Sequence, residues 1–162
     1  MMRVHQIAWA AVIIGVGLVV ATSVRAGAQA ADRLIGTWTL DPAQSKFSQG
    51  TGPKSLVLTF ESTPDGLKYL SDLVAPDGQT SREAFTAKTD GKDYPVAGLP
   101  FDTVAMSTQG NVRTRVDKKA GKVVMTYNGT LSADGRTLTV HQTGVDQQGQ
   151  AVDNTVVFVR KI

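Results

Sequence analysis

The sequence has no cysteine, and beyond residue 30 it holds only two glutamates and one histidine. Without cysteine there is no disulfide framework, no thiolate-held zinc or iron–sulfur site, no thiol nucleophile and no cysteine to carry a lipid. The two glutamates, Glu61 and Glu83, leave good helix formers thin, and no window repeats apolar residues at i, i+3, i+4 and i+7. The one remaining histidine, His141, fails every common zinc arrangement. A Ser/His/Asp set would have to recruit it with Ser132 and Asp146, which lie nearby in sequence. No Gly-x-Ser-x-Gly elbow accompanies them, so His141 is read as a strand-face residue. Many of the 14 acidic residues, among them Asp65, Asp77, Asp90 and Asp134, sit at turn positions. There they stabilise Asx-type turns instead of forming a glycosidase pair. No catalytic residue, metal or cofactor is expected.

Residues 1–30 are a different material. They carry two charges, Arg3 and Arg25, and residues 7–24 form an uncharged run of 18. A basic start, an apolar stretch and the small residues Ala26-Gly27-Ala28 and Ala28-Gln29-Ala30 make an export signal, with cleavage favoured after Ala30. The competing reading is an uncleaved membrane anchor, for which 18 residues is the lower limit. In both cases residues 31–162 are expected outside the cytoplasm, in the periplasm or secreted. Losing Arg3 and Arg25 lowers the net charge from +3 to +1, with 15 Lys and Arg against 14 Asp and Glu. The densest basic cluster, Arg113, Arg115, Lys118, Lys119 and Lys122, is interrupted by Asp117 and reads as a solvated strand pair with its turn. A nucleic-acid partner is therefore not expected.

What remains is β in character. Residues 31–162 hold 17 Thr and 14 Val, both β-branched. Turn dipeptides such as Asp65-Gly66, Asp77-Gly78, Asp90-Gly91 and Asp134-Gly135 punctuate the chain, and glycine accepts the backbone conformation that tight hairpins need. Alternating segments lie between them. The pattern predicts strands over 35–40, 54–62, 67–75, 79–87, 92–95, 101–108, 111–118, 122–132, 136–144 and 151–161. Eight to ten strands with mostly short turns make an antiparallel up-and-down meander. Closing it into a barrel removes its edges and leaves room for one small ligand. A two-sheet sandwich is the other architecture, but it usually needs longer crossings than the two visible here, Asp41 to Pro53 and Tyr94 to Pro100. The second belongs to Asp90–Pro100, read either as a rigid loop at the barrel mouth or as a plain strand crossing.

Gly36-Thr37-Trp38 on the first strand, with Arg160 two residues from the C-terminus, resembles the signature of lipocalins and the wider calycin superfamily. That resemblance implies that Trp38 closes one end of the barrel and Arg160 packs over its indole. A second lipocalin motif is missing, as is a helix after the barrel, so the match is to bacterial exported lipocalin-like domains. Trp38 to Phe47 also resembles, more locally, the opening of YceI-like periplasmic proteins, with Gln44 in place of their histidine. Both resemblances imply an exported barrel around an apolar molecule.

The domain organisation is thus a leader over 1–30 and a lipocalin-like barrel over 31–162. Its expected function is to bind or carry a small apolar or amphipathic, lipid-like molecule as a monomer, meeting a membrane only through an uncleaved leader. Strand parity offers Leu56, Leu58 and Phe60, then Val156 and Phe158, as interior residues. Tyr69 joins them if it, and not Leu70, faces inward. The alternative is a protein-interaction or inhibitor barrel with a filled interior, recognising partners through 41–53 and 94–100. An internal void of several hundred Å3 separates the two.

Overall fold

The computed structural model describes residues 32–162. The leader read in residues 1–30 lies outside the described residues. Ten strands follow in order: β1 Gly36–Leu40, β2 Ser55–Thr63, β3 Gly66–Val74, β4 Thr80–Ala87, β5 Asp90–Pro95, β6 Thr103–Gln109, β7 Val112–Lys119, β8 Lys122–Leu131, β9 Thr137–Val145 and β10 Ala151–Arg160. Their ends fall within two residues of those that alternation and turn chemistry predict. Every neighbouring pair is antiparallel.

The strands form one sheet in the order β4-β3-β2-β1-β10-β9-β8-β7-β6-β5. The first and last strands, β1 and β10, pair with each other, with Trp38 opposite Arg160 and Leu40 opposite Phe158. The sheet curls into an up-and-down barrel, but the expected removal of its edges is incomplete. β4 and β5 are the two ends of the order and share no ladder among the described residues. Each edge is blunted. β4 carries exposed Arg82, held by Asp72 at 2.9 Å. β5 is short, breaks register between Asp90 and Asp93, and ends on Pro95. Charge, brevity and proline are the ordinary means of discouraging an edge from pairing with another chain.

Asp41–Pro53, expected as a long loop, returns to the sheet. The Asp41 N–H donates to Val157 O at 2.8 Å, and Lys46 exchanges backbone hydrogen bonds with Thr155 at 2.7 and 2.9 Å. Ser45 Oγ accepts the Val157 N–H. The link thereby continues the β1 side of the β10 ladder past a break, and it covers Val157, which is buried although it points away from the interior. The main core lies inside the barrel, where Trp38, Leu58, Phe60, Val104, Leu138 and Phe158 are among the most buried side chains.

Candidate ligand cavity

Alternation along β2, β3, β9 and β10 turns every second side chain inward. These faces do not fill the barrel. They line a cavity of about 330 Å3, and Leu56, Leu58, Phe60, Tyr69, Val156 and Phe158 all stand on its wall. The parity of β3 is settled by register: Tyr69 lies opposite Phe60 on one side and Phe85 on the other. Its ring meets Phe60 edge-on at 5.5 Å and stacks on Phe85 at 4.9 Å. Leu70 faces outward on the opposite side of the strand. The wall is mostly apolar, with Ser71, Gln142 and Asn154 among its polar members.

The basic cluster on β7 is a correction. Lys119 and Lys122 are exposed, as expected of a solvated hairpin, but Arg113 and Arg115 point inward and line the cavity. Alternation explains it. Arg113, Arg115 and Asp117 share the inner face of β7, so the charged residues and not Val112 and Val116 form its buried side. Arg115 is 6% exposed and Asp117 1%. Arg115 Nε and Nη2 donate to the two oxygens of Asp117 at 2.7 and 2.8 Å, and Nη2 also donates to Glu83 of β4 at 3.1 Å. Four rings surround the guanidinium: Tyr69, Phe85 and Tyr127 each at 4.7 Å and Phe101 at 5.2 Å. Ring faces and a bidentate carboxylate are the partners a planar guanidinium takes best. Burial works against the charge on Arg115, but Tyr69, Tyr127 and Asp117 outweigh it and its pKa is raised. Burial also lifts the Asp117 carboxyl above its ordinary value, partly offset by Arg115. Burial raises the pKa of the Tyr69 and Tyr127 hydroxyls.

One end of the barrel is closed by the residues of the Gly-x-Trp signature. Trp38 is fully buried and its Nε1–H donates to Leu34 O at 2.9 Å. The Arg160 guanidinium lies 4.2 Å over its ring. It also donates to three backbone carbonyls: Gly135 at 2.8 Å, Ile35 at 2.7 Å, and Arg33. Gly36 is required by this arrangement. Its φ is +130°, and a Cβ there would stand 2.7 Å from Arg160 Nη1. Arg160 is thus spent on the floor and is absent from the cavity wall.

The remaining sequence candidates fall outside the cavity. His141 is exposed and its Nε2 lies 2.8 Å from Asp153, while the Ser132 hydroxyl donates to Asp134. Asp146 accepts from the backbone of its own turn. Asp90–Pro100 supplies β5 and the start of a crossing; it contributes no residue to the cavity wall. Phe101, just beyond, is buried against the Arg115 cluster. Several wall residues carried no usable signal in the sequence. Phe47 reaches the cavity from the β1–β2 link, which reads as a loop because it is rich in Gly, Ser and Pro. Gly129 lines the wall with no side chain at all. Glu83 and Arg115 meet across 32 residues of chain, and only the curl of the sheet brings them together.

No protein-family model matches the chain, and no curated protein matches it in sequence. Solved structures do match. The apo lipid binding protein 8 of Caenorhabditis elegans is similar with a TM-score of 0.55 and 14% identity, covering 81% of this chain and 97% of that one. The wild-type fluorescent protein UnaG gives a TM-score of 0.50 and 15% identity over 80% of this chain and 98% of its own. At such identities the likeness is one of fold alone: an antiparallel up-and-down β-barrel.

Proposed function

We propose that this chain is an exported barrel that binds or carries a small apolar or amphipathic, lipid-like molecule. The observation that carries the reading is the cavity of about 330 Å3 inside a barrel with mostly apolar walls. Small-molecule sites begin at about this size, and they combine apolar walls with a few placed polar groups. The C. elegans neighbour is by name a lipid-binding protein, which agrees with the reading. A filled interior, which the interaction-barrel alternative requires, would leave no such space. Export rests on residues 1–30, whose removal leaves a chain starting at Ala31, working as a monomer in the periplasm or outside the cell.

The test has two parts. Protein purified from the exported fraction should start at Ala31 by N-terminal sequencing and carry an apolar mass in native mass spectrometry. A membrane fraction retaining residues 1–30 would replace the signal with an anchor. An apolar fluorescent probe should bind the barrel, and Phe60→Trp should weaken that binding by narrowing the void with little loss of stability. A stability loss above about 2 kcal/mol for this swap would show an overpacked interior. The interaction-barrel alternative would then take over.

A further inference from the structure

Among the described residues, two buried side-chain polar atoms lack a hydrogen-bond partner, and both belong to Arg113: Nε and Nη1. A guanidinium has five N–H bonds, one on Nε and two on each Nη. Only Nη2 is answered, donating to Asp32 Oδ1 at 2.5 Å. Asp32 is itself fixed, because the same oxygen accepts the Leu34 N–H at 3.0 Å. Arg113 stands on the cavity wall, and its cross-strand neighbour on β8 is Gly129, which offers no side chain to meet it.

Arg115, two residues along the same face, is the contrast. Its guanidinium is engaged by Asp117, Glu83 and four rings. The same contacts occupy both oxygens of Asp117 and one of Glu83. The wall's one acidic residue, Glu83, is therefore already matched to a cation, while one of its two arginines has donors to spare. Buried donors without acceptors are rare in folded proteins and ask for an explanation, which a ligand acceptor supplies.

We propose that Arg113 is the anchor for an acidic head group, a carboxylate or a similar small oxyanion, on an amphipathic ligand whose tail fills the apolar part of the cavity. The proposal rests on the ligand-barrel reading above and narrows it to a class of ligand. The Nε and Nη1 donors lie behind the wall surface, so the head group meets them as the guanidinium turns toward the void. A planar fork suits an oxyanion with two acceptor oxygens. Asp32 remains on its turn and opposes the incoming anion as a like charge nearby.

The experiment compares dodecanoate with dodecanol, which share a tail and differ in the head. Titration calorimetry on the purified, folded protein should show the acid binding about tenfold or more tighter than the alcohol, as expected for a charge-assisted hydrogen bond. Arg113→Leu should remove that preference and leave dodecanol affinity unchanged. Arg113→Lys, which keeps charge but loses the fork, should retain part of it. Asp32→Asn should strengthen dodecanoate binding severalfold without changing dodecanol. The Lys and Asn variants keep the test open if Arg113→Leu does not fold. Equal binding of acid and alcohol by the unmodified protein overturns the head-group assignment, with water left to answer Arg113, while the ligand barrel stands. Binding of neither probe overturns both.

Discussion

Arg115 and Asp117 show how much one buried pair can carry. Asp117 is 1% exposed, and both its oxygens accept from Arg115. Removing the cation leaves a buried carboxylate without its counter-charge, so Arg115→Leu should cost about 3–5 kcal/mol in chemical denaturation. Replacing both residues with leucine should recover much of that loss, because two apolar residues leave no orphaned charge. A single-variant loss under about 1 kcal/mol would mean that water reaches Asp117 readily. At the other end of the barrel the same logic applies without a buried ion pair. Trp38→Ala should cost about 3–5 kcal/mol as a buried aromatic, and Arg160→Ala less. Because the guanidinium lies 4.2 Å over the indole, the two losses should not add. A double-mutant cycle with coupling near zero would remove the stack as an energetic link.

At the scale of the element, turns and strands were legible for different reasons. The tight turns declared themselves through Gly, often with Asp beside it, and Asp77, Asp90 and Asp134 accept backbone N–H groups as expected, while Asp65 makes no side-chain hydrogen bond among the described residues. The Ser132 hydroxyl and the Arg136 N–H hold the Asp134 carboxyl below its ordinary pKa, and the Gln150 and Gln148 N–H groups do so for Asp146. Asp41, through Gln44, and Asp90, through the Lys92 N–H, are lowered as well. A carboxyl whose pKa falls on folding adds stability above its unfolded value of 3.8, and that contribution is lost as pH falls through the folded value. The melting temperature should therefore fall from about pH 5 to about pH 2. The pair Asp134→Asn and Asp146→Asn, which keeps an acceptor oxygen, should flatten that fall. Asp117 works in the opposite sense, since burial raises its carboxyl. Strand parity was legible on β2, where Leu58-Thr59-Phe60-Glu61 alternates, and on β10 it placed Val156 and Phe158 inward although Val156-Val157-Phe158-Val159 is an unbroken apolar run. It failed on β7, because Val112-Arg113-Thr114-Arg115-Val116-Asp117 looks solvated by its charges, and local sequence holds no sign of Glu83 or the four rings that receive Arg115. It also missed Phe47, whose approach to the cavity depends on the link returning to β10, a contact between distant parts of the chain.

For the whole molecule, the decisive fact is where the single ladder begins and ends. Hydrogen bonding is continuous from β4 through β1 and β10 to β5, so the first and last strands lie in the middle of the sheet and the open seam lies between β4 and β5. Side chains bridge that seam in place of backbone: Arg115 of β7 bonds Glu83 of β4 and lies over Phe85 of β4 and Phe101 of the β5–β6 link. A strand with one unpaired side opens more cheaply than one paired on both sides. Amide hydrogen exchange should therefore be slowest in β1, β2, β9 and β10 and fastest in β4 and β5. Arg115→Leu should speed exchange in β4 and β5 beyond what its loss of global stability causes, because it unpins the seam as well as weakening the core. Dodecanoate should slow exchange along β2, β3 and β10, whose inner faces line the cavity. Uniform protection across all ten strands would mean that β4 and β5 open only with the whole barrel, and the seam could then not be its first point of opening.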